Sequence, residues 1–567
     1  MKFTISYICL IILSLFLYRC ANVTQPTGGP KDTIPPSMIE TLPVSQSLNF
    51  KEDKILLVFD EYIKVQNLKT GLIITPTFDD YDYKINKNTL TINLNEPLLE
   101  NTTYTLNFTD AIEDITESNA ALGTILSFST GPYIDSVGLQ GNVFSLMKKE
   151  PKEKAIVALY DATDTLNVFD DKPLYFTITD TEGNFRFQNL KNIKYKIYAF
   201  LDGNNNLTLQ TSSEPYGFLA KQISSNDDTI NLELPIQFRD VTELEIRRMR
   251  KTGRYFQIAA NKPLRGYSVR PKQKGYRLRY SIDKEAKNIT VFKPNNLDYA
   301  DSLEVDIVLG DSLGTRIDTT TYIAFAESKR KPSELKITKE NITYDQKQKV
   351  VATEIKFSKP LRRAVHDSIT IQIDTLKTIG VPPSALKFNG QKTILTINFP
   401  ISLKDSIPTP VDTTTNKEPG TNVPQLSGRL EGNTVSTSNI ALVFGKSAFL
   451  GIENDTSKAF KIPITIPDAN ATGIVKGKVK TDYQSYIIQL LNQQYEVVKE
   501  VKDAEEYQFD YLPPGTYTIR VLIDDNNNGF WIQGNILKNR EPESVYISPT
   551  DIIIKSNWEL ENDLIEF

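Results

Sequence analysis

The apolar positions of this chain recur with a period of two. TLTINL (89–94) sets Leu90, Ile92 and Leu94 against Thr89, Thr91 and Asn93. TYTLNF (103–108) turns Tyr104, Leu106 and Phe108 the same way, and KILLVF (54–59) adds a third short apolar run. Successive side chains of a strand point to opposite faces, so this alternation predicts half-buried strands. Turn residues such as Asn86-Lys87-Asn88 and Glu100-Asn101-Thr102 separate the runs. Short strands at this spacing predict an all-β chain of sandwiches. One short helix is expected, over VTELEIRRMRK (241–251).

Two kinds of repeat organise the pattern. The core Leu-Thr-Ile-Asn-apolar of Leu90 to Leu94 reappears at Leu395 to Phe399. LVFDEYI (57–63), EIKFSKPL (354–361) and YFQIAANKPL (255–264) are related strand ends. They predict three sandwiches, at 34–132, 237–334 and 335–466. A sharper repeat aligns FRFQNLKNIKYKIYAFLDGNNN (185–206) with YQFDYLPPGTYTIRVLIDDNNN (507–528) without a gap. Each copy starts from a Gly-containing strand, LQGNVF (139–144) or VKGKVK (475–480). This predicts two further β-domains, 133–236 and 467–550, and a C-terminal tail, 551–567. Residues 404–437 are rich in Pro, Thr, Asp and Asn, with too few apolar residues to offset ordering entropy, so a disordered insert is expected there. Five domains agree with the length of 567 residues, at about 100–200 residues per domain.

Residues 1–19 have another character. Lys2 precedes an apolar run from Tyr7 to Leu17, too short for a comfortable membrane span and suited to a signal-peptide core. The two cysteines are Cys9 and Cys20. Cleavage before Cys20 leaves one thiol and no internal disulfide. Residues 20–33 form a tether in which Pro26, Gly28, Gly29 and Pro30 oppose regular structure.

Composition narrows the function. Hydrophobic residues make up 40% and charged residues 24%, enough to bury real cores. The net charge of -5 gives no global case for nucleic acid. His366 is the single histidine, so the commonest general base is nearly missing. No nucleophile elbow, zinc spacing, P-loop or dinucleotide-binding glycine pattern is present, and we expect no enzyme.

Two candidate sites remain. Asp524, Asn526 and Asn528, followed by Gly529, fit the first half of a calcium loop, and Asp202, Asn204 and Asn206 are the matching positions of the first copy. Glu541 and Glu214, each before a proline, are candidate late ligands. The other reading is a tight turn in which Asp and Asn side chains cap the backbone. The second site is basic. Arg247, Arg248, Arg250, Lys251, Arg254, Arg270, Lys272 and Lys274 lie in a run interleaved with Tyr255, Tyr267, Tyr276 and Tyr280. Behind a signal peptide such a run suits lipid phosphate or an acidic protein partner, or it is a solvated β-face.

Several segments resemble known families. Leu17-Tyr18-Arg19-Cys20 resembles a bacterial lipobox, which implies acylation of Cys20. Each buried methylene of such an anchor contributes about 0.8 kcal/mol. Residues 34–132 resemble the SbsA-type (Big_5) Ig-like domain through Ile34-Pro35-Pro36, VFDEYI (58–63), EPLLENTTYTL (96–106), DAIEDITESNA (110–120) and FSTGP (128–132). Gly183-Asn184-Phe185-Arg186-Phe187 and Pro514-Gly515-Thr516-Tyr517 resemble transthyretin-like domains related to the carboxypeptidase regulatory region. Through Cys20 and Pro26 to Pro36 the whole chain resembles multidomain Ig-like lipoproteins of the Bacteroidetes. The resemblances imply tandem Ig-like and transthyretin-like β-sandwiches held at the outer membrane by lipid, on a face the sequence leaves open. The expected role is a non-enzymatic scaffold or interaction module with an outer-membrane protein partner and no nucleic acid. A glycan-binding or adhesive surface protein is the alternative.

Overall fold

The computed structural model describes residues 32–66, 68–78, 80–121, 124–224, 231–373, 377–402, 440–468, 470–562 and 564–567. Cys20, the tether up to residue 31 and the insert 404–437 lie outside the described residues. The described chain is all-β, with one short α-helical turn at Leu68–Gly71 and 3-10 turns at His366–Ser368, Pro383–Ala385 and Ile536–Lys538. It divides between Arg239 and Asp240 into two compact units.

The first unit holds two cores. In one, strands Met38–Leu42, Lys54–Phe59, Thr89–Leu94 and Tyr81–Asn86 form a sheet in that order. It faces a second sheet of Ile73–Thr75, Thr103–Asn107 and Ile125–Ser129. The alternation read from the sequence explains what they bury: Leu57, Leu90, Ile92, Tyr104, Leu106 and Phe108 are all core residues. The other core gathers Leu139, Val143, Leu159, Phe187, Tyr195 and Leu234. The second unit contains three cores, centred on Ile258 and Ile307, on Ile355 and Leu442, and on Val475 and Ile519.

The helix expected over 241–251 is not formed. Ile246–Thr252 is a strand paired antiparallel with Tyr255–Ala260. Gly253, at φ 56°, and Arg254 make the two-residue link between them. Pairing across this tight hairpin overrides a helix propensity that no apolar face supports.

The gapless repeat is matched strand for strand. Val137–Ser145 pairs with Asn184–Leu190, and Gly473–Lys480 pairs with Glu506–Leu512. Tyr198 lies opposite Phe218 in one copy, and its counterpart Arg520 lies opposite Ile547 in the other. The likeness runs past residue 528 to the end of the chain. Asn231–Phe238 closes the first copy by parallel pairing to its opening strand. In the second copy Glu559–Glu561 and Ile565–Glu566 take the same place. The expected tail 551–567 is therefore part of the last sandwich, with Ile552, Ile554 and Ile565 in its core.

Candidate functional site

Aspartates, some buried and some exposed, close the loops of this protein. Asp114 is 1% exposed and accepts backbone N–H bonds from Ser118 at 3.1 Å and Asn119 at 2.9 Å. Asp283 accepts from Lys287 and Asn288, Asp311 from Leu313 and Thr315, and Asp345 from Lys347 and Gln348. A short acceptor two to five residues before its donors pins the turn and offsets the lost hydration of its carboxylate.

The two calcium-like loops use the same device. Asp202 Oδ1 accepts from Asn205 N at 2.7 Å, and its Oδ2 accepts from Leu207 N at 2.8 Å. Asn204 and Asn206 side chains accept from the backbone two residues on. Asp524 Oδ1 accepts from Asn528 N at 3.1 Å, its Oδ2 accepts from Gly529 N at 2.6 Å, and Asn528 Oδ1 accepts from Phe530 N at 3.0 Å. Burial raises the Asp524 carboxyl, but the N–H groups of Gly529 and Asn528 outweigh it and hold the group below its ordinary range. Glu214 braces the first loop, accepting from Gly203 N and Gln210 N. In the second copy Glu543 braces the loop. It accepts from Asn526 Nδ2 and Ile532 N. Burial raises the Glu543 carboxyl, as do the charges of Asp524 and Asp525. Among the described residues no group of three or more His, Cys, Asp or Glu is arranged to hold a metal ion.

The basic run is split by the fold. Arg247, Arg248, Arg250 and Lys251 stand exposed on the strand Ile246–Thr252. Arg254, in the hairpin link, donates to Ser328 O at 3.1 Å and Arg330 O at 2.8 Å. Arg270 lies next to the end of the strand Gly266–Pro271 of the other sheet of this sandwich, with Lys272 and Lys274 just beyond it. Lys272 is paired with Glu304 at 3.2 Å and Asp306 at 3.7 Å. The structure does not bring Arg270, Lys272 and Lys274 onto the strand of the other four.

Two charged sites were missed by sequence reasoning. Lys262 and Lys359 are 4% and 1% exposed. Lys262 pairs with Asp311 at 2.7 Å and donates to Thr242 O. Lys359 pairs with Glu453 at 2.8 Å and Asp455 at 3.0 Å, and donates to Ser333 O. Each tethers the entry segment of its own sandwich. Their shared signal is the tripeptide Lys-Pro-Leu in the repeated strand ends. Glu453 also accepts from Tyr255 Oη of the preceding sandwich at 2.8 Å. Burial, then the bond and charge of Glu453, push the Tyr255 hydroxyl up to about 12.

A second pair of tethers sits on the repeat. Asn189 and Tyr511 occupy equivalent positions, both left-handed at φ 57° and 54°, each beside a break in strand register. A bulge of this kind re-aims a side chain. Asn189 Nδ2 donates to Thr105 Oγ1 at 3.0 Å and Ser127 Oγ at 2.9 Å of the preceding sandwich. Tyr511 Oη donates to Gln346 Oε1 at 3.4 Å, again in the preceding sandwich.

Comparisons with known proteins bear on one domain. No curated protein matches the chain. Among solved structures it is similar to BcpA, the major pilin subunit of Bacillus cereus, at 11% identity and a TM-score of 0.12, over 76% of this chain and 98% of that one. The S-layer protein rSbsC matches at 9% identity and a TM-score of 0.14, over 89% of this chain and 66% of that one. SGBP-B of the Bacteroides ovatus mixed-linkage glucan utilization locus, solved with a mixed-linkage heptasaccharide, matches at 11% and 0.15, over 64% and 82%. The family model for the bacterial Ig-like domain, Big_5, matches residues 32–130. Those residues carry the first sandwich and its Asp114-capped loop, and they are a bacterial Ig-like domain.

Proposed function

We propose that this protein is a non-enzymatic lipoprotein of the outer membrane, anchored through Cys20, that serves as a scaffold and interaction module. Its partner in this reading is a β-barrel outer-membrane complex of assembly, secretion or uptake. The observation that supports it is the use made of charged side chains. Asp114, Asp283, Asp311 and Asp524 cap loops, and Lys262 and Lys359 tether entry segments. Asn189, Tyr511 and Tyr255 bond to the neighbouring sandwich within their own unit. Groups held this way build a stiff support rather than a reacting centre. Labelled palmitate tests the anchor. Wild-type protein is expected to take up label and sediment with membranes, and Cys20→Ala to do neither. Equal labelling of both would overturn it.

A second reading is a glycan-binding or adhesive surface protein. It is favoured by Phe530, 76% exposed beside the Asn-rich loop and next to Trp531, whose ring nitrogen bonds to Glu543 O at 3.2 Å. Aromatic faces of this kind stack on sugars. A glycan array that stays blank would remove it.

A further inference from the structure

We propose that the strand Ile246–Thr252 is a docking strand for an acidic, extended segment of a partner protein. The proposal rests on the reading of the chain as an interaction module and names the chemistry of the partner.

The strand is the last of its sheet. The order runs Ile246–Thr252, Tyr255–Ala260, Asn288–Phe292, Arg279–Ile282, with no strand paired on the outer side of the first among the described residues. Its outer row of backbone donors and acceptors is therefore a template for an added strand. Seven residues offer roughly 20 Å of such edge.

The side chains say what kind of strand would fit. Arg248 and Arg250 lie opposite Ala259 and Gln257, on the outer face of the sheet. Met249 and Lys251 lie opposite Ile258 and Phe256, on the core side. They project past the core and are exposed, so cations flank the edge on both faces. Some strand lysines of this protein are neutralised by a glutamate, as Lys356 is by Glu340 and Lys478 by Glu506. Arg247, Arg248, Arg250 and Lys251 have no carboxylate within ion-pair distance among the described residues. The edge is also held in place. Arg254 at its turn is bonded to two carbonyls, so little ordering is left for binding to supply.

Three occupants compete for such an edge. A second copy would set the same cations against one another, which is unfavourable. A flat anionic membrane would reach the cations of one face only. An extended segment with Asp or Glu at successive positions presents carboxylates to both faces and completes the backbone pairing.

The test uses the full chain and a fluorescein-labelled decapeptide in which Glu-Glu pairs alternate with Thr-Thr pairs, so that an extended strand carries glutamates on both faces. The peptide is expected to bind in a salt-dependent way. The double variant Arg248→Gln, Arg250→Gln is expected to weaken it about ten-fold. Methylating every backbone nitrogen of the peptide keeps its charge and removes the N–H donors of both its edges, and is expected to cost a similar factor, about ten-fold. Equal binding of the methylated peptide would overturn strand pairing. So would binding that ignores the double variant, or binding of phosphatidylglycerol vesicles without binding of the peptide. Palmitate labelling of Cys20 is read separately, so loss of peptide binding with labelling intact rejects the docking strand and leaves the anchored module standing.

Discussion

At the scale of single residues, the charges of this protein are largely structural. Lys359 is the clearest case. Truncating it leaves Glu453 and Asp455 without the ammonium they share. Breaking a buried pair by removing one partner costs about 3–5 kcal/mol. Lys359→Met is expected to lower the denaturant midpoint accordingly, and an unchanged midpoint would contradict the role. The capping aspartates set the response to acid. Burial raises Asp114, Asp283, Asp311 and Asp524, yet hydrogen bonds, joined at Asp311 by the charge of Lys262, outweigh it and hold all four below the ordinary aspartate range. A carboxyl lowered in the folded state adds stability above its unfolded value, and loses it as pH falls through the folded one. Urea melts should therefore weaken steadily below about pH 4, and a flat profile there would count against these bonds. The Asn-rich loops close on their own backbone, so chelating calcium is expected to leave the thermal midpoint unmoved. A fall on chelation, reversed by calcium, would show an ion at Asp524 or Asp202.

At the scale of elements, alternation carried most of the fold. Strands around Leu90, Tyr104 and Leu395 follow from period two alone, because each buries one face. Ile246–Thr252 was illegible for the opposite reason. It buries neither face well, so its pattern is that of a polar helix, and only Gly253 marks the turn. The last strands were hidden too. Glu559–Glu561 and Ile565–Glu566 are two or three residues long, and parallel pairing to a distant strand leaves no local signature. The loop aspartates were readable as turn residues, whereas the buried lysines defied the expectation that Lys stays in water. Deleting residues 551–567 tests the corrected boundary. It removes Ile552, Ile554 and Ile565 from the last core. Limited proteolysis of the shortened chain is expected to degrade residues from about 467 onward while the preceding sandwiches resist. A protease-resistant last domain would restore the tail.

At the scale of the whole molecule, the proposed protein is a chain acylated at Cys20 whose sandwiches present surfaces to a neighbour. The central claim is that the chain works by holding a partner. The most direct measurement is native co-purification of the tagged full chain from gently solubilised membranes, with the mass of the eluted particle determined by light scattering. The account predicts a particle heavier than the lipidated chain, containing one outer-membrane protein in fixed ratio. A particle of the chain's own mass, with no partner in any gentle detergent, would contradict it.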